Sequence, residues 1–223
     1  MAMGARIPML TNAQLLTLAQ WFSPAYPVGA FNFSHGLEKA VEDGQVKDAP
    51  DLQRWLLTVL EHGTGRSDAL FAAAAYHAPT AVELADINAQ ACAFAPCAER
   101  LKESQLQGAA FCKITDRIWA MMPLDLCFPV AVGWAAQRND LPLVPTISLY
   151  LQAFVGNLAA AGQRLAPIGQ TDAQALIKTL GPTCEAIAQD SQNGDLTLLS
   201  STTFLADIAS MRHETQYARI FQT

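Results

Sequence analysis

This sequence has little charge. Only 15% of the 223 residues are Asp, Glu, Lys or Arg, 14 basic and 20 acidic, where an average globular composition would supply about 55 charged side chains. Large uncharged areas must therefore face outward, which favours partner binding or self-association. A concentrated Lys/Arg face is missing as well. The basic residues are scattered and the formal net charge is -6, which argues against duplex nucleic acid as a partner, because phosphate neutralisation needs clustered cations. The densest charge run, Glu38 to Asp51, is mostly acidic. It reads as a solvated helix face, with a docking patch for a basic partner as the alternative.

The other absences narrow the chemistry. Five cysteines, Cys92, Cys97, Cys112, Cys127 and Cys184, form no C-x-x-C pair, which argues against a disulfide framework or a structural zinc site. They read as small apolar side chains in a reducing compartment. The amino terminus lacks the unbroken apolar core of a signal peptide, so export is not expected. The uncharged stretch from Leu141 is broken by Pro142, Pro145, Gln152 and Asn157; it reads as a buried helix of a soluble protein, short of the run of about 20 apolar residues that a span requires. No phosphate-binding glycine loop is present, nor the paired carboxylate motifs of all-α metal enzymes. The histidines His35, His62, His77 and His213 never stand at i, i+4 from one another. His35 and Glu38, at i, i+3, read as a helix-surface ion pair, with two metal ligands as the alternative. No catalytic residue, cofactor or metal ligand is assigned. A Cys/His site is not closed off by this, since such residues need meet only in space.

What is present is helical grammar. Asp48, Pro50 and the spacing Leu52, Trp55, Leu56, Val59, Leu60 predict a helix ending at Gly63. Others are predicted from Asn12 to before Pro24, from Asn32 or Ser34 to Gly44, from Thr80 with its Glu83 capping box, and from Pro96 to Pro123. Further helices cover Asp125 to Gln137, Pro145 to Leu165, Thr171 to Asn193 and Ser201 to about Met211. Sustained period-2 alternation is lacking. The expectation is one all-α domain, a helical bundle of about nine to ten helices spanning 1–223, with 1–11 and 212–223 as flexible tails. The sparsely charged stretch Ser104 to Gln163 should form the core or a shared interface.

Two segments look over-specified for packing. Ser23 to Gly36 concentrates prolines, glycines and aromatics between two helices. It reads either as a rigid turn or as a stiff apolar platform for a partner. The terminal Met211 to Thr223 carries Arg and aromatic anchors, as a segment that orders on binding does.

These segments carry a resemblance. Ser23-Pro24, Pro27-Val28-Gly29-Ala30-Phe31, Ser34-His35-Gly36-Leu37-Glu38, Arg100-Leu101-Lys102-Glu103, Phe128-Pro129-Val130-Ala131-Val132-Gly133, Pro167-Ile168-Gly169-Gln170-Thr171-Asp172 and Met211-Arg212-His213-Glu214-Thr215-Gln216-Tyr217 with Arg219 stand in order along the chain. In these blocks the sequence resembles the urease accessory protein F family. The resemblance implies an all-helical cytoplasmic scaffold without enzymatic activity, acting in nickel insertion into urease. It implies a homodimer that binds accessory protein D or H, recruits the GTPase accessory protein G and docks on apo-urease, with no nucleic-acid or membrane partner. Position by position, the recruiting tail falls on Arg219 with Tyr217, and the loop aromatic on Phe31. Phe33 stands where Tyr is common in the family. The partner-binding set expected is Phe31, Phe33, His35, Glu38, Arg212, Tyr217, Arg219 and Phe221. Two alternatives are an Arg219 that inserts into the partner GTPase to activate it, and an unrelated all-α enzyme using a cysteine.

Overall fold

A computed structural model describes residues 10–120 and 125–222. The expectations for residues 1–9 and for a helix stop at Pro123 lie outside the described residues. Within them the chain is all-α, with ten α-helices, two short 3-10 turns and no strand.

Local chemistry sets most boundaries. Helix α1 (Asn12–Trp21) starts at the expected Asn12 and is capped by the residue before it: Thr11 accepts from the Gln14 N–H while the Gln14 side chain returns to the Thr11 N–H, a reciprocal box that satisfies two orphan donors. Helix α2 is only Leu37–Glu42, preceded by a 3-10 turn at Ala30–Asn32. The expected start at Asn32 or Ser34 fails because His35 and Gly36 both take positive φ, 58° and 74°, which interrupts helical geometry. Helix α3 (Ala49–His62) has the predicted Asp48 cap and buries Leu52, Leu56, Val59 and Leu60. Gly63 ends α3 and at once begins α4 (Thr64–His77), a helix the apolar spacing does not announce, since its Ala72 to Ala75 stretch is buried on all sides.

The remaining helices follow the reading closely. They are α5 (Ala81–Phe94), α6 (Ala98–Trp119), α7 (Phe128–Arg138), α8 (Leu143–Leu165), α9 (Gln170–Ser191) and α10 (Phe204–His213). Helix α9 runs through Pro182 without a break. Helix α8 is long and apolar enough to cross a membrane by length and composition. Here it packs along α9 and also touches α2, α3, α4 and α7, burying Ile147, Tyr150, Leu151, Val155 and Leu158. The sparsely charged stretch thus forms core, as expected.

Helices α4 and α7 approach at backbone contact. A Cβ on Gly133 of α7 would lie 1.9 Å from the Ala72 carbonyl oxygen of α4, so only glycine permits this spacing. A second close approach joins α2 to α10, where a Cβ on Gly36 would meet Ser210 Oγ at 2.6 Å and its backbone N at 2.8 Å. That contact brings the end of α10, and the segment beyond it, to the start of α2.

Candidate functional site

The last residues of the chain are held against three elements by buried charge. His213, wholly buried at the end of α10, places Nδ1 2.7 Å from Glu99 Oε2 and Nε2 3.2 Å from Glu38 Oε2. A carboxylate oxygen thus faces each of the two ring nitrogens. Glu214 follows and its Oε1 accepts the backbone N–H groups of Ala98 and Glu99. It thereby caps the first turn of α6, whose own Cys97 supplies no cap, and a carboxylate is favoured at that end of a helix.

The chain then turns back. Arg219 Nη1 donates to Glu99 Oε1 at 2.7 Å. Glu38 Oε1 accepts the Ile220 N–H at 2.7 Å and its Oε2 the Phe221 N–H at 2.9 Å. Phe221 is buried, its ring covered by the Arg164 guanidinium at 4.4 Å from the centroid, a cation–π contact. The Gln222 N–H donates to the Asn32 carbonyl at 2.8 Å. The aromatic loop and the tail therefore form one structure.

The loop is fixed from its other side by α8. Asn157 Nδ2 donates to the Ala30 carbonyl at 2.8 Å, and Arg164 reaches the Phe31 carbonyl. His35, in its left-handed conformation, lies edge-on to Phe154 at 5.1 Å. Burial, and then the nearby Arg100 charge, push its pKa well below the ordinary histidine value, so the ring is neutral. Its Nδ1 has no hydrogen-bond partner among the described residues.

The eight expected contact residues thus divide by exposure. Phe31, Arg212, Tyr217 and Arg219 reach the surface, Tyr217 completely. Phe33, His35, Glu38 and Phe221 are buried. The surface ion pair read for His35 and Glu38 gives way to a different arrangement: Glu38 is buried against His213, 175 positions away in sequence. The expected contact set leaves out Glu99, Asn157, Arg164 and Glu214, although Asn157, Arg164 and Glu214 stand in stretches that share the family resemblance. Glu99, one residue before Arg100-Leu101-Lys102-Glu103, was within reach of that signal.

Little here suggests a reaction. Burial raises the thiols of Cys127 to about 12, Cys184 to about 11 and Cys97 above its usual value, the reverse of nucleophile activation. No group of three or more His, Cys, Asp or Glu side chains suited to a metal occurs among the described residues. A cavity of about 50 Å³ touches Asp68 and Arg100. Asp68 is pushed up to about 6 by burial, against the opposing effects of the Tyr150 hydroxyl, which donates to it at 2.6 Å, and of Arg100.

The chain is similar to known proteins over nearly its whole length. The UreF family model matches residues 46–181. The chain is 53% identical over 213 residues to the urease accessory protein UreF of Ruegeria pomeroyi, covering 96% of this chain and 98% of that one. To UreF of Roseobacter denitrificans it is 46% identical over 219 residues, 98% of each chain. To a Cereibacter sphaeroides UreF it is 45% identical over 216 residues, 95% of this chain and all of the relative.

Proposed function

This chain belongs to the UreF family of urease accessory proteins, and from that premise we propose that it is the scaffold of a nickel-insertion complex. It is an accessory protein, not a catalytic enzyme. In the proposed role it works in the cytoplasm as a homodimer, binds accessory protein D or H, and with it recruits the GTPase accessory protein G to apo-urease. GTP hydrolysis by that partner then drives assembly of the nickel centre.

One observation carries the reading. The tail presents Tyr217 and Arg219 outward on a base of Glu38, Glu99, His213 and Phe221 that is itself buried. Ordering contact residues before binding lowers the entropy lost in the complex, and Tyr and Arg are the residue types that dominate interface energy. The scarcity of surface charge agrees with faces that partners cover. Direct activation of the GTPase by an inserted Arg219 is less well supported, because its guanidinium is already engaged by Glu99.

Co-expression with the urease structural and accessory proteins tests the proposal. Omitting this chain should leave urease inactive and nickel-poor, and affinity capture of accessory protein D or H should retain the GTPase only when this chain is present. Full nickel loading without it would refute the scaffold role.

A further inference from the structure

Two of the five thiols meet far from the tail, in a pair that the proposed function does not use. Cys92 Sγ on α5 lies 3.4 Å from Cys127 Sγ, the residue preceding α7. The contact is built from both sides. Asn88, one turn before Cys92, accepts the Cys127 N–H on Oδ1 at 2.8 Å, and Ser104 of α6 accepts the Phe128 N–H at 3.2 Å. Side chains of α5 and α6 thus fix the amino end of α7, where Cys127 itself makes no side-chain cap. The remaining thiols lie elsewhere in sequence on α6, α9 and the α5–α6 connection.

We propose that Cys92 and Cys127 form a reversible oxidation site, which closes to an intramolecular disulfide when the protein meets a hydroperoxide. The sulfurs need approach only by about 1.4 Å to reach bonding distance.

The order of events follows from exposure. Cys92 is half-buried and Cys127 buried, and burial together with the neighbouring Cys92 raises the Cys127 thiol to about 12, so Cys92 reacts first. Its thiolate attacks one peroxide oxygen, the O–O bond breaks, and the departing hydroxide takes up a proton to leave as water. Cys92 is then a sulfenic acid. Cys127 Sγ attacks Cys92 Sγ, the S–O bond breaks as the S–S bond forms, and the released hydroxide carries off the Cys127 proton as a second water. Two thiols lose two electrons and two protons in all, and one hydroperoxide is reduced. A dithiol reductant reverses the bond by exchange.

The product is a staple between α5 and the start of α7 that encloses α6, and so encloses Glu99, part of the base on which the tail rests. This inference is independent of the scaffold reading.

The test uses the whole protein. It is treated with about one equivalent of hydrogen peroxide, blocked with an alkylating agent, and digested with chymotrypsin, whose cleavage after Phe94 separates Cys92 from Cys97. Mass spectrometry should find a Cys92–Cys127 linked pair lighter by about 2 Da than the sum of the free peptides, with the titratable thiols falling from five to three and returning to five after dithiothreitol. Over-oxidation of Cys92 to sulfinic acid with Cys127 still alkylatable would overturn the proposal, as would a linkage that joins other cysteines instead.

Discussion

Glu38 and Phe221 are joined by a hydrogen bond of 2.9 Å from the Phe221 N–H to the Glu38 carboxylate across 183 positions of sequence. The same carboxylate accepts from Ile220 and faces His213. A buried carboxylate normally costs much solvation; this one recovers it from donors supplied by the tail, so Glu38 and the tail each need the other. Glu38→Gln keeps the shape but removes the charge and one acceptor. It should cost about 2 kcal/mol. Hydrogen exchange should locate the loss: the Ile220 and Phe221 amides lose protection while those within α3 and α8 keep theirs. Equal loss of protection throughout would mean that Glu38 serves the whole fold and not the tail.

Two buried groups pull acid stability in opposite directions. His35 has a native pKa well below 6.5, so below that pH the unfolded chain gains a proton that the native state refuses, and stability falls as pH falls. Asp68 has a native pKa raised from 3.8 to about 6. Between those values the native state holds the proton more tightly, and stability rises as pH falls. The two contributions therefore oppose one another below about pH 6. In Asp68→Asn only the His35 slope remains in this window, at most about 1.4 kcal/mol per pH unit. Urea titrations across the series should show the variant losing stability more steeply below pH 6 than the parent; parallel curves would exclude this role for Asp68.

The contact of α4 with α7 makes a sharper prediction at Gly133. Its added methyl would meet the Ala72 carbonyl well inside contact distance, and backbone on both sides leaves nothing flexible to yield. Gly133→Ala should destabilise by about 3 kcal/mol or more, although alanine favours an isolated helix over glycine by about 1 kcal/mol. Thermal unfolding by circular dichroism gives the sign directly. A neutral or higher Tm would contradict the close approach.

How far the sequence disclosed all this depended on the range of the interaction. Helix α3 was readable because its cap, its proline and its apolar stripe lie within 14 residues. Helix α4 was not, because a helix surrounded by others needs no polar face and so shows no stripe. At the site, the loop and tail stood out by composition, and the family blocks ran through both. Burial was hidden. Glu38 sits among Glu42, Asp43 and Asp48 and looks like one more solvated acid; its partners are at positions 213, 220 and 221, which no local pattern reveals. Likewise Tyr217 and Phe221 are both aromatics near the chain end, yet one is fully exposed and the other buried.

That last contrast yields the test that separates a recognition surface from its support. Tyr217 makes no buried contact to lose, so Tyr217→Ala should leave Tm unchanged. Arg219→Ala breaks a partly exposed ion pair and should cost at most about 1 kcal/mol. Phe221→Ala removes a buried ring and its contact with Arg164, for about 3 kcal/mol, and frees the tail. If the exposed residues touch the partner, Tyr217→Ala and Arg219→Ala weaken capture of accessory protein G by tenfold or more, about 1.4 kcal/mol each, with Tm unchanged in the first and lowered only by the lost ion pair in the second. Phe221→Ala weakens capture only as far as the tail is released, and added partner should restore its Tm by mass action. Full capture by Tyr217→Ala and Arg219→Ala, with loss confined to Phe221→Ala, would move the contact surface from the tail's tip to the loop around Phe31.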